Sequence, residues 1–301
     1  MYEKRIVSQQ IENYVKIFSK ENIMKRALFV GITGLDYVYY LDKHIGSNEK
    51  TKTNDYKSYI GGPAANAAIT YCLLGGRAKL LTHIGDSLIG TMIKDQLRSY
   101  DIEIIDLAEG KDILPFVSSI HIDGKGDRTV ISGQNLIADD FEDFTVFKDV
   151  NCVLLDCNLP NVSLQVLRNC SLPSVLDAGS WKAHMGECMS LATDVIAYTN
   201  CTHPEKNLKD FVKKNLAITD NEKSFYYRDS DSSGWIDPIK VKVHDTLGAG
   251  DVFHGAYCYY RYLKKLNFKT ALESASKVAA YSVTQRGVVD GVKFFLNNHR
   301  E

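Results

Sequence analysis

Residues 245–251 read DTLGAGD, and the stretch that follows them, VFHGAYCYYRYLKK, predicts a helix that this turn opens. Apolar residues recur at helical spacing between positions 252 and 263. A helix N-terminus presents unpaired N–H groups and a partial positive charge. Glycines within the turn let the backbone approach an anion with no side chain between them. The predicted cradle for phosphate oxygens is formed by the N–H groups of Gly248, Ala249, Gly250 and Asp251.

Asp251 lies beside this predicted anion site. A carboxylate in that position can accept a proton from an alcohol that attacks phosphorus. The alternative is that Thr246 or Asp251 only caps the helix. No Gly-Lys-Ser or Gly-Lys-Thr follows the glycines, which argues against a P-loop enzyme.

A second glycine pair precedes a helix at residues 61–76, GGPAANAAITYCLLGG. Proline suits the first helical turn, and the closing glycines end the element. Asn66 is a polar side chain among small apolar ones. Its amide either satisfies a nearby backbone group or faces a cleft and binds a hydroxyl-bearing ligand.

Asp36 follows the first strong strand, in VGITGLDYVYY at residues 30–40. Open α/β sheets bind ligands beyond the carboxyl ends of their strands. Asp36 is therefore placed to accept hydrogen bonds from two sugar hydroxyls, and the alternative is a solvated turn aspartate.

Beyond these motifs, apolar runs alternate with helical patterns, which predicts a mainly parallel α/β sheet. Residues 37–60 and 116–131 break the alternation and predict a small β appendage that could cover a cleft. The predicted strands are 27–32, 79–84, 152–155, 174–176, 195–198, 216–219 and 224–227. The predicted helices are 63–74, 90–99, 162–169, 207–213, 251–266 and 270–284.

Composition limits the class of protein. The 301 residues are 45% hydrophobic and 24% charged, which is ordinary for a soluble globular chain and excludes a disordered, collagen-like or coiled-coil chain. The formal net charge of −1 gives no electrostatic argument for a nucleic-acid partner, since domains that bind nucleic acid usually carry a basic face. We expect a cytoplasmic protein with reduced cysteines, no membrane span and no signal peptide. Residues 1–26 are predicted to be an N-terminal helical extension of the main domain, 27–301.

Taken in order, these motifs resemble those of the ribokinase-like, PfkB-type carbohydrate kinases. The resemblance runs from Ala27 to about Gly291 and adds three stretches to the motifs above: IGDSLIG at 84–90, LDAGSW at 176–181 and VTQRG at 283–287. DGKGDRTVI, at 123–131, is similar to the lid hairpin of that family. The resemblance implies a three-layer α/β/α sandwich with a mainly parallel central sheet and a small β lid, which is often used in dimerisation.

The resemblance also implies roles for individual residues. Asp251 would be the general base, and Gly248, Ala249 and Gly250 would form the anion hole. The implied sugar-binding residues are Asp36, Gly61, Gly62 and Asn66. The implied ATP-binding residues are Thr219, Thr246, Gly248 and Gly250. ATP with Mg²⁺ would be the donor, and Asp245 would contribute to a site for a monovalent cation such as K⁺.

Two departures from the family pattern concern the donor side. The N-x-x-E segment, whose Glu helps to hold metal, is represented by Asn200 and Glu205 at a spacing of five. A structural loop and a shifted metal site both remain open there. The T-x-G strand end is represented by Thr219, Asp220 and Asn221, without the glycine.

The implied reaction is ATP-dependent phosphorylation of a primary hydroxyl of a sugar, with a ketose preferred on the GGPAANAA and GAGDVFHGA variants. A nucleoside kinase on the same scaffold is the alternative acceptor class, and a non-catalytic binding protein is a third hypothesis. The expected partners are a small sugar and ATP, with no nucleic acid or membrane, and a homodimer through the lid. A phosphosugar would need basic residues, for which Arg128, Lys43 and Lys57 are candidates or else solvated surface charges.

Overall fold

A computed structural model of the chain describes residues 26–133 and 141–299. Within them, nine strands form a main sheet and four form a small sheet. The strands are β1 (Arg26–Val30), β2 (Gly34–Tyr40), β3 (Tyr56–Gly61), β4 (Ala78–Thr82), β5 (Ile102–Asp106), β6 (Phe116–Ile122), β7 (Arg128–Gly133), β8 (Val150–Leu155), β9 (Ser174–Ala178), β10 (Asp194–Tyr198), β11 (Asn215–Asp220), β12 (Lys223–Arg228) and β13 (Ser233–Ile236). The α-helices are α1 (Pro63–Leu73), α2 (Leu88–Arg98), α3 (Pro160–Asn169), α4 (Met185–Leu191), α5 (Ala249–Cys258), α6 (Phe268–Ser282) and α7 (Val288–Asn298).

The main sheet runs in the order β13-β12-β11-β10-β9-β8-β1-β4-β5. All pairs from β11 to β5 are parallel, and the last two strands at the other end are antiparallel. Alternate residues of β1 enter two different cores: Phe29 packs in the core that contains α1 and α5, whereas Leu28 packs in the core that contains α3 and α4. Helices therefore cover both faces, which confirms the predicted three-layer α/β/α sandwich.

The small sheet has the order β3-β2-β6-β7. Its strands lie at the two places where the sequence interrupts the alternation of strands and helices. Three residues separate β1 from β2, and a single residue, Gly62, separates the end of β3 at Gly61 from the start of α1. The strands β2 and β3 are thus directly continuous with elements of the main body. Every residue of the outer strand β7 is exposed.

Close packing of α1 on α5 brings the two glycine motifs together. The alanines of α1 are buried, and a Cβ added at Gly255 of α5 would lie 2.3 Å from the carbonyl oxygen of Ala67. Only a residue without a side chain fits there, so the two helix backbones touch. This contact places Asn66 of α1 beside the first turn of α5.

A buried carboxylate fixes the other end of α5. Asp194 at the start of β10 is fully buried and accepts hydrogen bonds from the hydroxyls of Tyr257 (2.6 Å) and Tyr262 (2.5 Å). The amide of Asn215 donates to its other oxygen at 2.7 Å. Because a buried charge is costly unless it is fully hydrogen-bonded, these donors hold α5 and its π-helical extension, Tyr259–Leu263, in place against the sheet.

The IGDSLIG stretch at 84–90 has a structural role in this fold. The Ser87 side chain caps α2 by accepting from the Gly90 N–H at 3.2 Å. Lys94 joins Asp86 (2.5 Å) to Asp106 (2.6 Å), and the Asp106 carboxylate also accepts from three backbone N–H groups. These contacts tie α2 to the end of β5 beside the pocket described below.

Two secondary-structure predictions need correction. The helix predicted over 207–213 is wrong: only a 3₁₀ turn, Leu208–Asp210, forms there. Asn207 and Asp210 close it as a capping box, and β11 begins too soon after it for a longer helix. The helix predicted over 251–266 ends at Cys258, where the π-helical turn begins.

Some elements were not predicted, and one prediction lies outside the described residues. The unpredicted elements are β5, β13, α4 and α7. The N-terminal helix predicted within residues 1–26 precedes the described part of the chain. Among residues 26–133 and 141–299, no helix is both long enough and apolar enough to cross a membrane.

Candidate active site

The turn before α5 leaves the start of this helix open. Gly248 occupies the N-cap position in the left-handed conformation (φ 75°), and no side chain caps the helix. The capping alternative for Thr246 and Asp251 is therefore wrong. A Cβ at Gly248 would lie 2.5 Å from Cγ2 of Val288, so glycine is required both by conformation and by space.

The backbone N–H groups of this turn are only partly used within the chain. The N–H of Ala249 donates to the carbonyl of Thr246 at 3.3 Å, a long bond. The N–H groups of Gly250 and Asp251 lie in the first helical turn, where no intrahelical acceptor exists. A Cβ at Gly250 would meet no atom within 4 Å, so the turn faces open space. The arrangement fits an anion at the positive end of the helix.

Asp251 lies on this first turn and is held by Asn66. The Asn66 amide Nδ2 donates to Oδ2 of Asp251 at 2.8 Å. Burial, and after it the negative charge of Asp177, raise the pKa of Asp251 to about 7, although the Asn66 hydrogen bond acts to lower it. A carboxylate with a pKa near 7 is suited to accept a proton at neutral pH. The alternative that the Asn66 amide only satisfies a nearby backbone group is wrong, because this amide donates to the Asp251 carboxylate.

Asp36 and Asn66 line the same pocket. Asp36 lies within β2 of the small sheet. Its predicted place at the carboxyl end of β1 is therefore wrong. Burial raises the pKa of Asp36, and a hydrogen bond from Ser118 lowers it. The other residues that line this pocket are Tyr59, Ile60, Ile69, Gln96, Tyr100, Leu247, Gly287, Val288 and Val289.

The glycine pair at 61–62 connects β3 of the small sheet to α1 of the main body. A Cβ at Gly61 would lie 2.5 Å from the Asp36 carboxylate, so the absence of a side chain leaves room for that group. Gly62 has φ 94° and is the N-cap of α1. The pair therefore allows the chain to pass from the small sheet into α1 immediately beside the pocket.

Asp245 joins three segments at the edge of the site. Its carboxylate accepts from the Leu247 N–H (2.9 Å), the Tyr40 hydroxyl (3.2 Å) and the Gly287 N–H (3.4 Å). Asp245 is buried, and its negative charge contributes to raising the pKa of Tyr40, after burial. A monovalent cation at Asp245 would have to share oxygens that already serve the chain's own donors.

Arg286 adds a second link between the small sheet and the C-terminal part of the chain. Its Nη1 lies 2.8 Å and 2.9 Å from the two carboxylate oxygens of Asp55. Its guanidinium carbon is 3.8 Å from the centre of the Tyr40 ring, a close cation–π contact. The small sheet is thus attached to the main body across the mouth of the site.

The residues predicted for the donor side are not joined to this network. Thr246 is exposed, and Thr219 at the end of β11 donates its hydroxyl to the carbonyl of Ala197 at 3.2 Å. Glu205 is exposed in a turn where its N–H donates to Nδ1 of His203. In residues 26–133 and 141–299, neither of the two side-chain groups close enough to share an ion contains Glu205 or Asp251. The structural-loop alternative for Glu205 agrees with this geometry.

The missing glycine of the T-x-G pattern is replaced by an asparagine in a glycine-like conformation. Asn221 has φ 45°, which asparagine tolerates better than most residues. Its amide donates to the Tyr198 hydroxyl at 2.8 Å. The turn at the end of β11 therefore has the backbone shape that a glycine would permit.

Sequence reasoning missed three residues around Asp251. Asp156 and Asp177 lie at or just beyond the carboxyl ends of β8 and β9, and both contribute to raising the pKa of Asp251. His254 donates from Nδ1 to the Gly250 carbonyl at 2.7 Å, and the same nitrogen lies 3.5 Å from Asp177. The signal that could have found them is the position of each aspartate at the end of a predicted parallel strand.

Asp156 is deeply buried beneath the turn between β1 and β2. Burial raises its pKa to about 6, although the Ile32 N–H (3.0 Å) and the Asn158 N–H (2.8 Å) donate to its two oxygens. Both oxygens are committed to the backbone. Asp156 therefore acts on the site through its charge.

Comparison with known proteins agrees with this geometry. Residues 24–184 and 198–293 match the family described as pfkB family carbohydrate kinase. The chain belongs to this family. It is accordingly a phosphotransferase that acts on an alcohol group, and the resemblance stated from the motifs is confirmed.

Individual relatives extend the match over most of the chain. A ribokinase from Dictyostelium discoideum is 28% identical over 302 residues, which cover 86% of this chain and 94% of the relative. A ribokinase structure from Thermotoga maritima has a TM-score of 0.74 at 20% identity, covering 91% of this chain and 100% of that one. A nucleoside kinase structure from Methanocaldococcus jannaschii, described as an archaeal member of the ribokinase family, has a TM-score of 0.74 at 19% identity, covering 92% and 99%. At these identities the two structures show the common fold.

Proposed function

We propose that this pfkB-family kinase transfers the γ-phosphoryl group of ATP to a primary hydroxyl of a pentose of the ribose class, with Asp251 as the general base. The observation that carries the proposal is the state of Asp251. This carboxylate has a pKa raised to about 7, is held at 2.8 Å by Asn66, and lies at an uncapped helix start.

The proton and the phosphoryl group follow from this arrangement. The accepting hydroxyl loses its proton to a carboxylate oxygen of Asp251 as its oxygen attacks phosphorus. The N–H groups of residues 248–251 stabilise the negative charge on the transferring group, and the helix start adds its partial positive charge. Asp36, Gly61, Gly62 and Asn66 hold the sugar so that the hydroxyl points toward Asp251.

On the donor side, the negative charge of the triphosphate must be balanced. Mg²⁺ bound with ATP would shield the triphosphate as the oxygen approaches. Hard carboxylate oxygens suit this ion, and Asp177 faces Asp251 closely enough to raise its pKa. Asp177 is therefore proposed in place of Glu205 as the chain's own contact to the metal or its water. Thr219 and Thr246 are proposed nucleotide contacts, and K⁺ at Asp245 remains a prediction.

The small sheet is proposed to serve as the lid over the sugar. Asp36 belongs to it, and Tyr40 and Asp55 attach it to the main body beside the pocket. Residues 27–301 would then form one kinase domain with the lid built from 37–60 and 116–131. A homodimer through the lid is proposed on the exposed apolar side chains Val130 and Ile131 of β7. A cytoplasmic location is also proposed.

Two observations bear on the acceptor. The relatives named ribokinase favour a pentose over the ketose preferred on the motif variants. A nucleoside is the second candidate, because the pocket beside Asp36 is lined by Tyr59 and Tyr100, rings that could pack on a base. The structural similarity to a nucleoside kinase is in line with this second candidate.

An acceptor panel tests the proposal. The full chain is given ATP, Mg²⁺ and one of ribose, deoxyribose, fructose or adenosine, and ADP release is measured with phosphorus NMR of the product. We expect kcat/KM to be highest with ribose and the product to be a primary phosphate monoester. A higher value with adenosine would establish the nucleoside alternative. ADP release that no acceptor raises above the rate in water would contradict both.

A further inference from the structure

Three side chains that phosphoryl transfer does not use lie together below the carboxyl end of β8. They are Cys157, His184 and Cys188: one ring nitrogen and the two thiol sulfurs lie within 4.8 Å of one another. Both cysteines are fully buried, and His184 is half-buried. In a tetrahedral zinc site with two sulfurs and one nitrogen, ligand atoms are about 3.5 to 4 Å apart, given Zn–S near 2.3 Å and Zn–N near 2.0 Å. From the 4.8 Å limit, closure by about 1 Å brings these atoms into that range.

The three side chains come from two elements, the turn after β8 and the start of α4. His184 and Cys188 are four residues apart, and the Cys188 N–H donates to the His184 carbonyl at 3.2 Å, so the first turn of α4 puts them on one face. Cys157 comes from the turn after β8, where it has φ 55°, a left-handed conformation uncommon for a residue with a side chain. The site therefore joins a sheet end to a helix.

The hydrogen bond of His184 fixes which ring nitrogen carries the proton. Its Nε2 lies 3.0 Å from the carbonyl oxygen of Cys157, which can only accept, so Nε2 carries the proton and Nδ1 keeps the lone pair. Histidines that bind metals ordinarily donate their second N–H to a carbonyl or a carboxylate in this way.

The two sulfurs interact directly. A hydrogen bond joins the two thiols. All seven cysteines lie in the described ranges, and none of them forms a disulfide. Two thiols and one neutral imidazole form a soft donor set, which favours zinc over magnesium or calcium.

We propose that Cys157, His184 and Cys188 bind one thiophilic divalent cation, Zn²⁺, with a water molecule as the fourth ligand. The ion displaces the two thiol protons to solvent, so the bound ligands are two thiolates and a neutral imidazole. It links the turn that follows Asp156 to the start of α4. The site is separate from the nucleotide-bound Mg²⁺ and does not depend on the acceptor of the kinase.

Cobalt titration tests the proposal, because Co²⁺ bound by thiolate gives a charge-transfer absorption band that carboxylate ligands do not give. The full chain is reduced, freed of metal and titrated with Co²⁺, and then with Zn²⁺. We expect the band to saturate at one equivalent and to be abolished by Zn²⁺. It should be absent in Cys157→Ala and Cys188→Ala and unchanged in Cys170→Ala, a matched cysteine outside the cluster.

Two measurements on the unmodified chain keep the test decisive if a variant does not fold. Zn²⁺ should raise the Tm, and it should protect two thiols from a thiol reagent in the native protein. His184→Gln should weaken Co²⁺ binding about tenfold or more. The proposal is overturned if the unmodified chain gives no charge-transfer band, if the band persists in both cysteine variants, or if Cys157 and Cys188 are found as a disulfide in freshly purified protein.

Discussion

The acceptor side and the donor side of the cleft differ in how far the chain itself fixes their geometry. On the acceptor side, Asn66 is bonded to Asp251 at 2.8 Å, and Asp36 lines the same pocket as Asn66. On the donor side, Thr246 and Glu205 are exposed, and Glu205 has no contact with the Asp251 network among the described residues. The acceptor side is preorganised, whereas the donor side is an open surface that a nucleotide must complete.

The difference follows from which elements build each side. The acceptor residues come from α1, β2 and α5, whose backbones meet closely: a Cβ at Gly255 would lie 2.3 Å from the Ala67 carbonyl, and one at Gly61 would lie 2.5 Å from Asp36. The donor residues come from the end of β11 (Thr219), the loop after β10 (Glu205) and the turn before α5 (Thr246). Loops present groups to a ligand but do not hold them against each other. Substitutions on the acceptor side should therefore cost more than substitutions on the donor side.

The largest effect is expected for Asp251→Asn. The amide keeps the shape of the side chain and still accepts from Asn66, but it cannot take the proton of the hydroxyl. We expect kcat to fall by about 100-fold or more with little change in ATP binding. Steady-state kinetics and isothermal titration would measure the two, with the exposed Asp112→Asn as the control. Turnover close to that of the unmodified chain would contradict the assignment of the base.

The same variant has a stability signature. The pKa of Asp251 is raised to about 7 in the folded chain from about 4 in the unfolded chain, so the folded state binds the proton more tightly. The free energy of unfolding of the native protein therefore falls as pH rises through that interval. Asp251→Asn removes this loss, and its Tm should exceed that of the unmodified chain at pH 8 but not at pH 4. Equal Tm values for the variant and the unmodified chain at pH 8 would mean that the pKa of Asp251 is not raised in the folded state.

Asn66→Ala is the second prediction. The Asn66 hydrogen bond lowers the pKa of Asp251, so its removal should raise that pKa. In the unmodified chain kcat/KM should fall as pH falls through about 7, and in the variant this acid limb should move to higher pH. At pH 7 we expect kcat/KM to fall about tenfold to 100-fold. Asn169→Ala, on α3, is the control, and an unshifted acid limb would show that Asn66 does not act on the base.

Arg286→Ala tests the attachment of the small sheet. The variant loses the pair with Asp55 and the contact with the Tyr40 ring. These half-exposed contacts are worth about 1 kcal/mol, which corresponds to about a fivefold rise in the sugar KM with kcat nearly unchanged. Arg168→Ala removes a comparable exposed pair, with Glu187, away from the pocket. A fall in kcat with constant KM would mean that Arg286 acts on the chemistry and not on the sheet.

The smallest effect is expected for Glu205→Gln. Because Glu205 lies exposed outside the Asp251 network, turnover should change by less than about twofold. Asp177→Asn in the same assay should lower kcat by about tenfold or more, since Asp177 lies close to the base. Measuring the turnover of both variants at several Mg²⁺ concentrations compares Glu205, the metal residue predicted from the sequence, with Asp177, the one proposed from the structure. A larger loss for Glu205→Gln would restore it to the metal site.

The sequence was most informative where a function requires a particular backbone. The DTLGAGD turn and the glycine pair before α1 could be predicted to open helices, because glycine and proline mark such positions directly. The layered α/β fold followed from strands whose residues are buried on both faces. The strand β5, IEIID, was missed because it lies at the sheet edge and is largely half-exposed, which weakens its apolar pattern.

The rest depended on contacts between distant residues. Asp177 stands in a motif that the sequence displays, but its effect on Asp251 arises only when β9 and α5 meet at the same sheet edge. Asp36 was placed beyond β1, yet it belongs to a different sheet, because the three residues after β1 redirect the chain. The His254 bond to Gly250 and the approach of Cys157 to Cys188 also arise only from tertiary packing.

The path of the backbone through the pocket has one further consequence. Between Val30 and Pro63 the chain leaves the main body, forms β2 and β3 of the small sheet and returns, so Asp36 lies on the small sheet while Asn66 lies on α1 of the main body. Any swing of the small sheet must change the spacing of these two side chains. With the roles proposed above for Asp36, Asn66 and the small sheet, one movement would both bind the sugar and exclude water, and a sugar too small to reach both side chains would leave the cleft open.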